Sequence, residues 1–260
     1  MSSPDVIIIR NPEDDLADAV AQALPSHGKT PVQLSVAEGA SAFTVWSDHS
    51  GGRVEPDRPL LLRPFSGTGY RPGEDGSARF HYAERLGLLW AAGALMRSAV
   101  INRPGPYGFS GKCRPAASLT ALECGEFDGR LEVFFRGDPA QYASFGGLVE
   151  DLQQFRFVDA AEAPHGIYRA RDGCRIAGYY PVAVVGEKAF PCLRGREAPP
   201  RTLELSVEAT AKLGLRLSLL FWGVVEENPF LASVVPWPNL WQLGEQRDLV
   251  VDEIAEILSK

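Results

Sequence analysis

The chain has 260 residues, 45% of them hydrophobic and 23% charged, enough to bury a substantial core as one large domain or two small ones and inconsistent with wholesale disorder. A formal charge of -7, with lysine confined to Lys29, Lys112, Lys188, Lys212 and Lys260, argues against a nucleic-acid groove, which needs clustered cations. The cysteines and histidines are scattered without a CxxC or HExxH pair, so neither a disulfide framework nor a zinc site is expected.

The apolar run Val6–Ile9 is too short for the core of a signal peptide and has no basic residue ahead of it. No stretch is long enough to span a bilayer, and a cytoplasmic protein is expected. Val6–Arg10 is instead a β-branched run that reads as a buried strand. Glu13–Leu24, acidic at its start and apolar at helical spacing, predicts a helix ending at Pro25. Val32–Val36 predicts the next strand, giving a β-α-β opening and hence a parallel sheet. Phe43–Trp46 and Arg53–Val54 suggest a hairpin around His49-Ser50-Gly51-Gly52, Leu60–Arg63 a short strand, and 65–77 a Gly/Pro-rich loop.

Ala78–Ser98 predicts a long helix with Tyr82, Leu86, Leu89 and Ala92/Gly93 on one face, followed at once by the apolar pair Val100–Ile101. Gly108-Phe109-Ser110-Gly111-Lys112 lacks the spacing of a phosphate-binding loop, and Cys113 stands where a hydroxyl would hold magnesium, so an ordinary turn is expected there. Arg130–Arg136 predicts a strand and Tyr142–Phe155 a short helix broken at Gly146-Gly147. Gly166–Ala170 and Arg175–Tyr180 read as a hairpin about Asp172-Gly173, and Val182–Val185 with Lys188–Leu193 as a second strand–turn–strand unit. A helix over Thr202–Leu213 should stop at Gly214. Strands over Leu215–Val225 and Leu231–Val235 should flank a Glu226-Glu227-Asn228-Pro229 turn, and a closing helix should bury Ile254, Ile257 and Leu258.

Three segments in this order resemble the ATP-grasp carboxylate–amine ligases, especially the branch acting on small or ribosomally made peptides. They are Val100-Ile101-Asn102-Arg103-Pro104 after a long helix, the hairpin Tyr179–Phe190 containing Val184-Val185-Gly186, and the tail from Ala209 to Leu258. The resemblance implies an α/β, reduced ATP-grasp-like fold, with an N-terminal β-α-β subdomain over 1–115 and a truncated ATP-grasp-like region with a C-terminal mixed sheet over 116–260. Ligases of that kind need lysines on the phosphates and carboxylates with an Asn around magnesium. No lysine lies between Lys112 and Lys188, and Pro181 and Tyr179 stand where the resemblance calls for an Arg and an acid. Matched by strand length, the metal-ligand positions fall on Phe221 or Trp222, Ser233, Val235 and Pro236. A rival match through Glu226-Glu227-Asn228-Pro229 would restore two ligands, though the same string is ordinary turn chemistry.

The chain is therefore expected to be a non-catalytic pseudoenzyme without cofactor or metal. It resembles the precursor (leader) peptide-binding proteins of ribosomal-peptide (RiPP) pathways such as crocagin biosynthesis. Its expected partners are a precursor peptide, tailoring enzymes of the same pathway and a second copy of itself, the last suggested by Trp237 and Trp241 near the tail. The peptide is expected along an exposed sheet edge between Phe155 and Phe190, with Phe155, Phe157, Tyr168, Tyr179, Tyr180 and Phe190 offering apolar contact and Arg169, Arg171 and Arg175 gripping acids. Phe221, Trp222 and the other tail aromatics read as core, and Arg63 and Arg103 as caps of buried carboxylates. The alternatives are an active ATP-dependent peptide ligase using Glu226 and Asn228, or a structural partner subunit of one.

Overall fold

The computed structural model describes residues 4–49, 51–64, 76–106, 108, 109, 132–137, 148–151, 156–171, 178–192, 198, 200–225 and 228–260. A parallel sheet of order β2-β1-β5-β6 is built from β1 (Val6–Arg10), β2 (Pro31–Leu34), β5 (Leu60–Arg63) and β6 (Val100–Ile101). Both faces are covered, which is why β1 and β5 are continuously apolar. Ile7, Ile9 and Leu62 face a core closed by α2 (Val36–Ala42), α3 (Gly76–Leu95) and the hairpin β3 (Thr44–Asp48)–β4 (Gly51–Glu55). Val6, Ile8 and Leu61 face the other way, onto α1 (Asp15–Ala23) and the closing helix α5 (Arg247–Ser259).

The same core continues into an antiparallel sheet of order β12-β11-β13-β14, comprising β11 (Gly178–Val185), β12 (Lys188–Pro191), β13 (Leu217–Val225) and β14 (Asn228–Val235). Helix α4 (Pro200–Lys212) covers the far face of that sheet and ends at Gly214, whose φ of 66° is the left-handed stop expected of a helix C-terminus. A further antiparallel sheet, β7-β10-β8-β9, contains β7 (Glu132–Gly137), β8 (Leu148–Asp151), β9 (Arg156–Asp159) and β10 (Gly166–Arg171). Among the described residues, no helix is long and apolar enough to cross a membrane.

Several local expectations are corrected. The strand expected through Val36 stops at Leu34, because Ser35 caps α2. Its hydroxyl accepts from Glu38 N at 3.2 Å and the Glu38 carboxylate accepts from Ser35 N at 2.8 Å. Within the span read as helix over 142–155, Leu148–Asp151 is a strand. The two strands expected to pair about Asp172-Gly173 lie in different sheets, β10 against β7 and β8, β11 against β12 and β13. Asn228 and Pro229, expected in a turn, are the first residues of β14.

Arg63 does meet a buried carboxylate. Its Nε donates to Asp14 Oδ2 at 2.5 Å and its Nη2 to the Pro238 carbonyl at 3.0 Å. Among the described residues Arg103 meets no carboxylate: it donates to the carbonyls of Gly93, Ala94, Met96 and Ser98, closing the C-terminal end of α3.

Candidate functional site

Strand alternation sorts the expected peptide-binding residues of β11 and β12 onto two faces. Tyr179 packs with Ala183, Val185, Leu219 and Phe221 on the face toward the parallel sheet. Phe190 pairs with Ala183 and joins the same face. Tyr180 packs on the opposite face, with Val182, Val184, Leu220 and Trp222. Tyr179 lies 6.0 Å from Phe221 between ring centroids at an interplanar angle of 55°. Tyr179, Tyr180 and Phe190 are all half-buried, each with apolar area anchored and part left to solvent.

In the β7-β10-β8-β9 sheet, Phe134, Arg169, Glu150 and Phe157 stand at one rung, and Phe135, Tyr168, Asp151 and Arg156 at the next. Arg171 pairs with Glu132 of β7. Tyr168 is corrected: it is fully buried, packs with Val149 and Ala160, and donates its hydroxyl to the Pro164 carbonyl. It is therefore a core residue of this small sheet and offers no recognition surface. Phe155 and Arg175 lie outside the described residues.

The two antiparallel sheets are joined by a contact not anticipated from sequence. Ser233 Oγ of β14 donates to Glu150 Oε1 of β8 at 2.8 Å. Ser233, Glu150 and Asp151 are all at most 3% exposed. Ser233 stands opposite Phe221, two rungs from Val235 opposite Leu219, and the register shifts just beyond, between Phe221 and Trp222 of β13. A buried carboxylate must have donors, and Ser233 supplies one. The span 142–155 read as a short helix, so the sequence offered no direct pointer to this site.

The β13–β14 residues that strand-length matching to ATP-grasp ligases sets at the metal-ligand positions do not fit the task of holding a magnesium–nucleotide. Phe221 and Val235 have no oxygen ligand, Ser233 spends its proton on Glu150, and Trp222 Nε1 donates to Ser206 Oγ at 2.8 Å inside the α4 core. Asn228 pairs with Val225 at the far end of the hairpin, about 15 Å along β14 from Ser233 at ordinary strand rise. Among the described residues, no group of three or more His, Cys, Asp or Glu side chains comes together to hold a metal. What the site offers is aromatic surface beside a closed, acid-containing junction.

No family model and no curated protein matches the chain. Solved structures do. PsnB, an ATP-grasp ligase complexed with a minimal precursor, is similar at a TM-score of 0.67 and 15% identity, over 99% of this chain and 98% of PsnB. The macrocyclase MdnC bound with precursor peptide MdnA, from Microcystis aeruginosa MRC, gives 0.67 and 13%, over 97% and 98%. A Chryseobacterium gregarium RiPP-associated ATP-grasp ligase, in complex with ADP and a leader and core peptide, gives 0.61 and 11%, over 98% and 96%. The chain thus has the ATP-grasp fold, an α/β arrangement of one parallel and further antiparallel sheets, as its sequence resemblance implied.

Proposed function

We propose that this chain is a non-catalytic peptide-binding protein that recognises a ribosomally made precursor peptide. The observation that carries the reading is the β13–β14 junction, where Phe221, Val235 and a Ser233 hydrogen-bonded to Glu150 stand at the positions that strand-length matching to ATP-grasp ligases assigns to metal ligands. The peptide half of the reading is supported by the fold shared with PsnB and MdnC, both described in complex with precursor peptides. It is supported too by the half-exposed aromatics Tyr179, Tyr180 and Phe190.

The proposed binding region comprises Tyr179, Tyr180 and Phe190 with the rung residues Arg169 and Phe157, and Tyr168 is withdrawn from it. Phe155, Arg171 and Arg175 remain proposed contacts on sequence grounds alone. Arginines can pair with acids of the peptide and set its direction. An affinity near the micromolar level, about -8 kcal/mol, suits a carrier that must release its cargo. Fluorescence anisotropy with a labelled precursor peptide tests the reading. Native peptide should bind and a scrambled one should not, and Tyr179→Ala and Tyr180→Ala should separate the two faces of β11. Equal binding of native and scrambled peptide defeats the proposal. Native binding unaffected by either substitution moves the site elsewhere.

A further inference from the structure

The hairpin β3–β4 and the C-terminal end of α3 line an open pocket of about 240 Å³, remote in sequence from the region between Phe155 and Phe190. Its walls include Trp46, Arg53, Glu55, Asp57, Leu95 and Arg97. Gly52 lets the helix come close, since a Cβ there would sit 2.6 Å from Leu95 Cδ2. Trp46 and Arg53 are cross-strand partners and so share one face of the hairpin, and the indole is left 36% exposed at the pocket.

The charges here are not equivalent. Asp57 is committed: its carboxylate accepts from Ser98 N at 2.9 Å and from Arg97 N at 3.1 and 3.2 Å. These contacts use the backbone of Arg97. The Arg97 guanidinium itself makes no hydrogen bond or close ion pair among the described residues, its charge acting on Asp57 only at longer range, and the Trp46 indole N–H donates to none of them. Glu55 is exposed on the rim and similarly uncommitted, which disfavours a ligand carrying two negative charges. An open guanidinium fork beside an exposed indole, in a space the size of one large side chain, is suited to a single carboxylate carried next to a ring.

We infer that this pocket is a second binding site, for a monocarboxylate on an aromatic body. Such a group occurs at a peptide's C-terminal aromatic residue or at an acidic side chain beside an aromatic one. The guanidinium of Arg97 takes the carboxylate and Trp46 packs on the ring.

The test follows the indole N–H resonance of Trp46 by nuclear magnetic resonance in the full chain, assigned by its loss in Trp46→Phe. The probes are N-acetyl-L-phenylalanine, the neutral N-acetyl-L-phenylalaninamide, and a capped Phe-Asp amide whose one carboxylate is on the side chain. At least one carboxylate probe should shift the resonance saturably, and the one that binds more tightly identifies the source of the carboxylate. The neutral amide should bind about five-fold more weakly or worse, and Arg97→Ala should weaken the acid by a similar factor. Because Asp57 holds the backbone of Arg97, that variant should keep the wild-type melting temperature. The inference is overturned if neither carboxylate probe shifts the resonance, if the amide binds as well as the acids, or if a folded Arg97→Ala protein binds unchanged.

Discussion

Asn102 has a backbone φ of 52°, uncommon for any residue but glycine, and is fully buried. Its Nδ2 donates to the carbonyls of Leu217 and Pro236, and its Oδ1 accepts from the N–H groups of Arg216 and Leu217. One amide thus stitches the end of the parallel sheet to the start of β13 and to the residue that follows the edge strand β14. Asn102→Gly relieves the backbone constraint but strands these groups, and it should cost roughly 3 kcal/mol or more in urea unfolding. A loss below about 1 kcal/mol would mean that water replaces the amide. Cys192 gives a pH-dependent prediction. Burial pushes its thiol up to about 12, outweighing a hydrogen bond from the Ala183 backbone that lowers it. Its thiolate is therefore scarce, and peptide mapping should show Cys192 unalkylated by iodoacetamide between about pH 7 and 10 in native protein, but modified in denaturant. Native labelling at the rate of a free thiol would contradict its placement.

At the scale of elements, the strands of the parallel sheet were legible because Val6–Ile9 and Leu60–Leu62 are buried on both faces and leave an unbroken apolar run. Helix α2 was missed although its capping box, Ser35 to Glu38, is written in the sequence. The β-branched Val36 extended the apparent strand across it. Ser35→Ala should destabilise the protein by about 1 kcal/mol. Backbone and hydroxyl hydrogen bonds from Ser35 hold the Glu38 carboxyl below its ordinary 4.5. That contribution is complete above the ordinary glutamate range and is lost as the pH falls below it, through the lowered folded value. In an acid titration, the stability gap between wild type and Ser35→Ala should therefore narrow, and a gap that widens toward acid would contradict the cap. Strand β8 was missed for a different reason. Its span read as a short helix, and the partner that makes burial of Glu150 tolerable, Ser233, lies 83 residues away. Buried ion pairs have the same character. Asp14 caps α1 and also holds Arg63, 49 residues on, so Arg63→Leu leaves a buried charge uncompensated and should cost about 3–5 kcal/mol. A melting temperature within a degree or so of wild type would show that the pair relaxes into solvent.

At the scale of the whole molecule, the layers run from α2 and α3 through the parallel sheet, α1 with α5, and the C-terminal sheet to α4, so one core joins both ends of the chain. Of the two tryptophans suggesting self-association, Trp237 packs against the α3 core, while Trp241 is 54% exposed near the start of α5, a helix that also exposes Leu249. The proposed dimer therefore depends on Trp241. Sedimentation should show a dimer that Trp241→Glu converts to a folded monomer, and a clean wild-type monomer at high micromolar concentration would contradict it. The central claim is that the molecule reads a peptide without using a nucleotide. It is tested most directly by calorimetric titration of the precursor peptide with and without ATP and magnesium. The account predicts the same affinity in both titrations and no heat from ATP–magnesium alone. Peptide binding that requires ATP–magnesium, or a nucleotide heat abolished by Glu226→Ala, would contradict it and favour an active ligase.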